Sequence, residues 1–280
     1  MRGSSHVLAA VASPGARRSG FVALAVVLLT ACSGADPAER TDKTDRTTET
    51  DVEVSTSETV ETSAPTTNAG TVRAVQVVEA GEVKLSDQTF ESPPFSVAEG
   101  GVYFAHLIWS SRERQSEPPT VEFPGCRFEL VESLFARPTA TRMANVYEAT
   151  HCSPGPGRLT VTGPVMMDNV ALTVVELTGT DGHIEQHEAV DGTNNSTNLV
   201  TTLSPFAAPG NVTLFFASHG KGGEPIADPT GALAVIAHRE NASLFSIATL
   251  FAPRPVLTLT GAWESASSPT GLALEVRALP

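Results

Sequence analysis

The chain has 280 residues, of which 41% are hydrophobic and 18% charged, with a formal net charge of −13. That charge excludes a protein that tracks nucleic-acid phosphates, or one that adheres to anionic lipid through a basic patch. Two Tyr and two Trp make an aromatic stacking platform sparse, and three cysteines leave one over if two pair.

The chain opens with a basic region carrying Arg2, Arg17 and Arg18, then the apolar run Phe21–Ala31, then Cys32. This is the order of a secretory signal. Eleven residues span about 16 Å as a helix, too short to cross a hydrocarbon core. Leu29-Thr30-Ala31-Cys32 resembles the lipobox of bacterial lipoproteins. The resemblance implies a signal peptide over 1–31, cleavage before Cys32 and a diacylglycerol (with an amide-linked acyl chain such as palmitate) on the new N-terminus. At roughly 0.8 kcal/mol per buried methylene, two or three chains hold a protein on a membrane where one is marginal. An ordinary cleaved signal, with Cys32 following by chance, is the competing reading.

Residues 32–70 read as a tether. Ser33–Gly70 holds four Ser, ten Thr, nine acidic and three basic residues, with few large apolar side chains. Such a segment buries too little surface to offset chain ordering, so disorder is expected. Its reach is about 30–40 Å.

From 71 to 280 we expect one all-β domain, an antiparallel β-sandwich. Short apolar stretches recur about every 8–15 residues between Gly, Pro, Asn, Ser and Asp, enough for about a dozen strands. RLTVTG, VLTLTG and GLALEVRAL alternate with period two, the pattern of strands with one wet face. On this reading Leu257 and Leu259 face inward, as do Leu272, Leu274 and Val276, while Ala273, Glu275 and Arg277 face out. VYFAHLIW, ALTVVELTG and VTLFFAS are apolar on both faces and belong at the centre of sheets. The order of segments over about 95–280 resembles a jelly-roll-like β-sandwich module of secreted bacterial and phage structural proteins, which implies binding or display. The stretch around Ser110–Thr120 and the cysteines depart from that pattern.

Cys126 and Cys152 are predicted to pair, since an exported domain sits where disulfides persist; two free thiols is the alternative. The best constellation for chemistry is DGHIEQHEAVD, where His183, Glu185 and His187 share one face of a strand near Asp181, Glu188 and Asp191. These are weak metal candidates, and a charged, solvated edge strand explains them as well. His106 reads as a hydrogen-bonded core histidine, His219 as part of a Gly-rich loop, and His238 as part of a turn. No nucleophile elbow, HExxH or CxxC occurs. No catalytic residue and no cofactor is therefore expected. The expected partners are a membrane through the N-terminal lipid and a glycan or envelope protein, with no nucleic acid. The location is the bacterial cell membrane or outer membrane, facing out of the cytoplasm. Trp109, Trp263, Tyr103 and Tyr147 are the only candidates for stacking on sugars. The alternative function is a jelly-roll hydrolase or lyase acting on envelope polysaccharide.

Overall fold

The structure is a computed structural model that describes residues 71–114, 117–135, 141–192, 195–221, 226–241 and 245–280. Cys32, the leader and the tether lie outside the described residues. Every regular element among those described is a strand. The strands are β1 (Arg73–Glu91), β2 (Phe95–Val97), β3 (Val102–Ser110), β4 (Thr120–Phe123), β5 (Cys126–Phe135), β6 (Arg142–Thr150), β7 (Gly155–Gly157) and β8 (Thr160–Thr178). They continue with β9 (Thr180–Asp191), β10 (Ser196–Thr202), β11 (Val212–His219), β12 (Ala234–Asn241), β13 (Phe245–Ala252), β14 (Thr258–Ser267) and β15 (Thr270–Ala278).

The all-β, antiparallel expectation holds. The first sheet runs β1-β8-β3-β6-β5-β4 and the second β12-β13-β11-β15-β9, with two short ribbons, β10-β14 and β2-β7. The chain completes the first sheet, passes Gly179, and then builds the second. A jelly roll instead sends successive strands from sheet to sheet, so the observed connectivity differs from that expectation.

The first sheet also closes. β8 pairs with β3 over Asn169–Leu177, while its first residues, Thr160–Thr162, pair with β4. β8, β3, β6, β5 and β4 thus form a five-stranded ring, with β1 laid along the outer edge of β8. Only a strand as long as β8, at 19 residues, has a separate stretch for each end of the ring.

Three cores result, and alternation assigns residues to them. Tyr103, Leu107 and Trp109 of β3 join Met143, Tyr147, Val161 and Leu172 in a first cluster belonging to the ring. Phe104 and Ile108, on the other face of β3, meet Leu214, Phe216, Leu272 and Leu274 of the second sheet. The far face of the second sheet buries Phe215, Leu250 and Ala273 against Leu199, Leu259 and Trp263 of the β10-β14 ribbon. Both central sheets are therefore covered on both faces, as the doubly apolar segments predict.

The same layering overturns one half-wet strand. β15 has Ala273 at 0% and Glu275 at 1% exposure, because the ribbon covers Ala273 while β9 and the β10–β11 connection close over Glu275. In VLTLTG, Leu259 is buried but Leu257, just before β14, is 46% exposed. RLTVTG behaves as expected, with Leu159 and Val161 buried and Thr162 exposed.

Cys126 and Cys152 are at disulfide distance, Cα to Cα 4.5 Å. The bridge joins the first residue of β5 to the segment after β6, where the Ser153 amide also donates to the Gly125 carbonyl at 2.8 Å.

Candidate functional site

The inward row of β6 is Arg142, Ala144, Val146 and Glu148. Ala144 and Val146 belong to the core between the sheets. The two ends of the row carry charged groups where that core meets solvent. Around Glu148, the start of β9 and the end of β15 close a cleft of about 390 Å³ whose lining includes Glu148, His151, Asp181, Gly182, His183 and Arg277. An adjoining hollow of about 240 Å³ shares Glu148, Thr150 and His151 and adds Arg127 and Glu129.

Local chemistry fixes each member. Thr180 Oγ1 donates to the Arg277 carbonyl at 2.6 Å and accepts the Gly182 amide at 2.9 Å, which ties β9 to β15. Gly182 has φ +82°, and a Cβ there would stand 2.7 Å from both Glu148 Oε1 and Thr150 Cγ2. Only glycine gives this turn and lets the carboxyl lie over it. Arg277 forms an ion pair with Asp181, and the His183 amide donates to Asp181 Oδ1 at 3.1 Å. Arg277 beside it holds the Asp181 carboxyl below its usual range.

Glu148 has the opposite surroundings. Its Oε1 is buried with no hydrogen-bond partner. Glu129 stands directly across from it on β5. Burial first, then the negative charges of Glu129 and Asp181, push the Glu148 carboxyl up to about 7. One cleft therefore holds a carboxyl that titrates near neutrality beside a carboxylate that stays ionised. Environments that separate two carboxyl groups in this way are how proteins set apart a proton donor from an anion.

The other predicted residues are distributed differently. His183, Glu185 and His187 lie on β9, an edge strand, and share an exposed face. His183 Nε2 lies 3.8 Å from Glu185 Oε2, but His187 Nε2 turns to Glu132 on β5, at 3.7 Å. Among the described residues no group of three or more His, Cys, Asp or Glu side chains is disposed to hold a metal ion.

His106 is fully buried in the core between the sheets. Its ring sits edge-on to Phe216, with centroids 5.5 Å apart. The expected core position holds, and the polar group nearest its ring is the Ala248 backbone, although neither ring nitrogen makes a well-aligned hydrogen bond. Burial lowers its pKa to about 3, offset only in part by the Ala248 backbone. Thr173, its neighbour across β3 and β8, is likewise buried with an unpartnered hydroxyl.

His219, read as a loop residue, is the last residue of β11, where it stacks on Trp263 at 4.7 Å. His238 lies within β12, not a turn. The four Trp and Tyr candidates are all buried. Trp109 Nε1 donates to Asn145 Oδ1, Tyr103 to Glu176 Oε1, and Tyr147 to the Pro119 carbonyl. None presents a ring face to a sugar.

Sequence reasoning missed Glu148. Its one visible signal is a lone acid directly after Val146 and Tyr147 in NVYEA. The residues that perturb it, Glu129 and Asp181, come from other strands.

Among the described residues no helix is long and apolar enough to cross a membrane. No protein-family model, curated protein or solved structure matches the chain.

Proposed function

We propose that the chain is an exported lipoprotein in which residues 71–280 are a sandwich-type display module, held on a cell-envelope membrane through lipid on Cys32 and spaced from it by residues 32–70. The observation that carries this reading is the leader ending in Leu29-Thr30-Ala31-Cys32 and followed at once by an acidic, Thr-rich spacer. The Cys126–Cys152 pair supports it, because such bridges persist outside the reducing cytoplasm. The ligand class is a glycan or an envelope protein. With all Trp and Tyr rings buried, glycan recognition falls to polar and charged side chains at the mouths of the core. The test is metabolic labelling with a fatty acid in a bacterial host. Wild-type protein takes up label and enters the detergent phase, and Cys32→Ser does neither. Label retained by Cys32→Ser would end the proposal.

The Glu148–Asp181 cleft favours a second reading, a hydrolase or lyase acting on envelope polysaccharide. A protonated Glu148 would serve as general acid beside an ionised Asp181. Incubation with cell-wall and capsular polysaccharides tests it. Release of reducing or unsaturated ends by wild-type protein but not by Glu148→Gln is the expected result.

A further inference from the structure

Arg142 occupies the other end of the inward β6 row, an unusual place for a guanidinium. Ala144 and Val146, next in the row, are core residues. The Arg142 guanidinium carbon lies 5.7 Å from the centroid of the Phe245 ring, itself 1% exposed. Its Nε is buried with no hydrogen-bond partner, and no carboxylate among the described residues forms an ion pair with it. Burial lowers its pKa, with no anion among the described residues to raise it. Buried charges are ordinarily paired, because leaving water without a counter-charge is costly. An aromatic face offers a cation only part of that compensation. The ends of two other strands complete the surroundings: Gly220 follows β11, and Ser267 closes β14. A methyl group on Gly220 would collide with both Arg142 Nη1 and Ser267 Oγ, so these two donors converge over a residue that has no side chain.

We propose that Arg142 and Ser267, over Gly220 and against the Phe245 ring, form a binding site for an anionic group, a carboxylate or a phosphate carried by the ligand. The planar guanidinium supplies paired N–H donors to such an oxyanion, and the serine hydroxyl adds one more. The site lies at the opposite end of the β6 row from Glu148 and does not depend on how the chain is anchored.

The test is calorimetric titration of purified full-length protein with sodium phosphate and with sodium glucuronate, against sodium chloride at matched ionic strength. Saturable binding of either anion is expected. Arg142→Gln should weaken it at least tenfold and Ser267→Ala several-fold. Binding of phosphate alone assigns a phosphorylated ligand. Binding of glucuronate alone assigns a carboxylated one, and binding of both assigns a general oxyanion site. Absence of saturable binding by the wild-type protein overturns the proposal, as does affinity unchanged in Arg142→Gln. Should Arg142→Gln fail to fold, Ser267→Ala decides: unchanged affinity in that variant overturns it equally.

Discussion

Two carboxyl groups, on strands of different sheets, are withdrawn from water in this domain, and the fold treats them in opposite ways. Glu275, 1% exposed, accepts Gln186 Nε2 at 2.6 Å on one oxygen; its other oxygen accepts the Ala207 amide at 2.8 Å and Asn211 Nδ2 at 2.5 Å. Three donors from β9 and the β10–β11 connection converge on it, so its burial knits the second sheet together. Glu148 is less buried, yet its Oε1 has no donor and its neighbours are two more acids. A satisfied buried carboxylate is structural. An unsatisfied one beside a cleft is the kind of group that proteins retain for binding or proton transfer.

The largest effect expected from this contrast is at Glu275. Glu275→Ala removes the acceptor shared by the buried Asn211 amide, the Ala207 amide and Gln186, and should lower the unfolding free energy by about 3 kcal/mol, read from urea denaturation. A loss below about 1 kcal/mol would show that the donors find other partners. Removing the bridge with Cys126→Ser and Cys152→Ser closes no loop across the sequence separation of 26 and should cost about 3 kcal/mol. That loss should match the loss on reducing the wild-type protein.

Next comes acid sensitivity at His106. Its unfolded pKa is about 6.5 and its folded value about 3. Between those values the unfolded chain binds the extra proton. The stability is present above pH 6.5 and is lost as pH falls toward 3, at up to about 1.4 kcal/mol per unit. His106→Leu should flatten that limb.

Glu148 has the opposite sign. Its folded pKa, about 7, lies above its unfolded value near 4.5, so its contribution is full below 4.5 and is lost as pH rises through 7. Glu148→Gln should therefore raise stability at pH 8 by about 1 kcal/mol at most, since partial exposure screens the charge. The same change at Glu275 is destabilising, because a carboxamide nitrogen faces donors. Equal effects of the two Glu→Gln changes would erase the contrast.

Much of the fold is legible in the sequence where burial depends on one strand alone. VTLFFAS is apolar on both faces and is β11, central in its sheet. GLALEVRAL misleads because distant segments cover that face: the β10-β14 ribbon over Ala273, and Gln186, Ala207 and Asn211 around Glu275. The ring closure was equally hidden. It depends on Thr120–Glu122 pairing with Thr160–Thr162, and nothing in RLTVTG distinguishes a strand that pairs there from one that ends there. The cysteine pair was readable from the odd count and from the export that the leader leads one to expect. The cleft was only half readable: Asp181 stands in a stretch visibly rich in charge, whereas Glu148 owes its character to Glu129 and Asp181 on other strands.

The most direct measurement is a carbon-detected NMR titration of the Glu148 side-chain carboxyl in the wild-type protein, with Glu148→Gln to assign the resonance. The carboxyl should titrate with an apparent pKa near 7, moving lower when Glu129→Gln removes one acidic neighbour. A midpoint near 4.5 that is indifferent to Glu129→Gln would contradict the account.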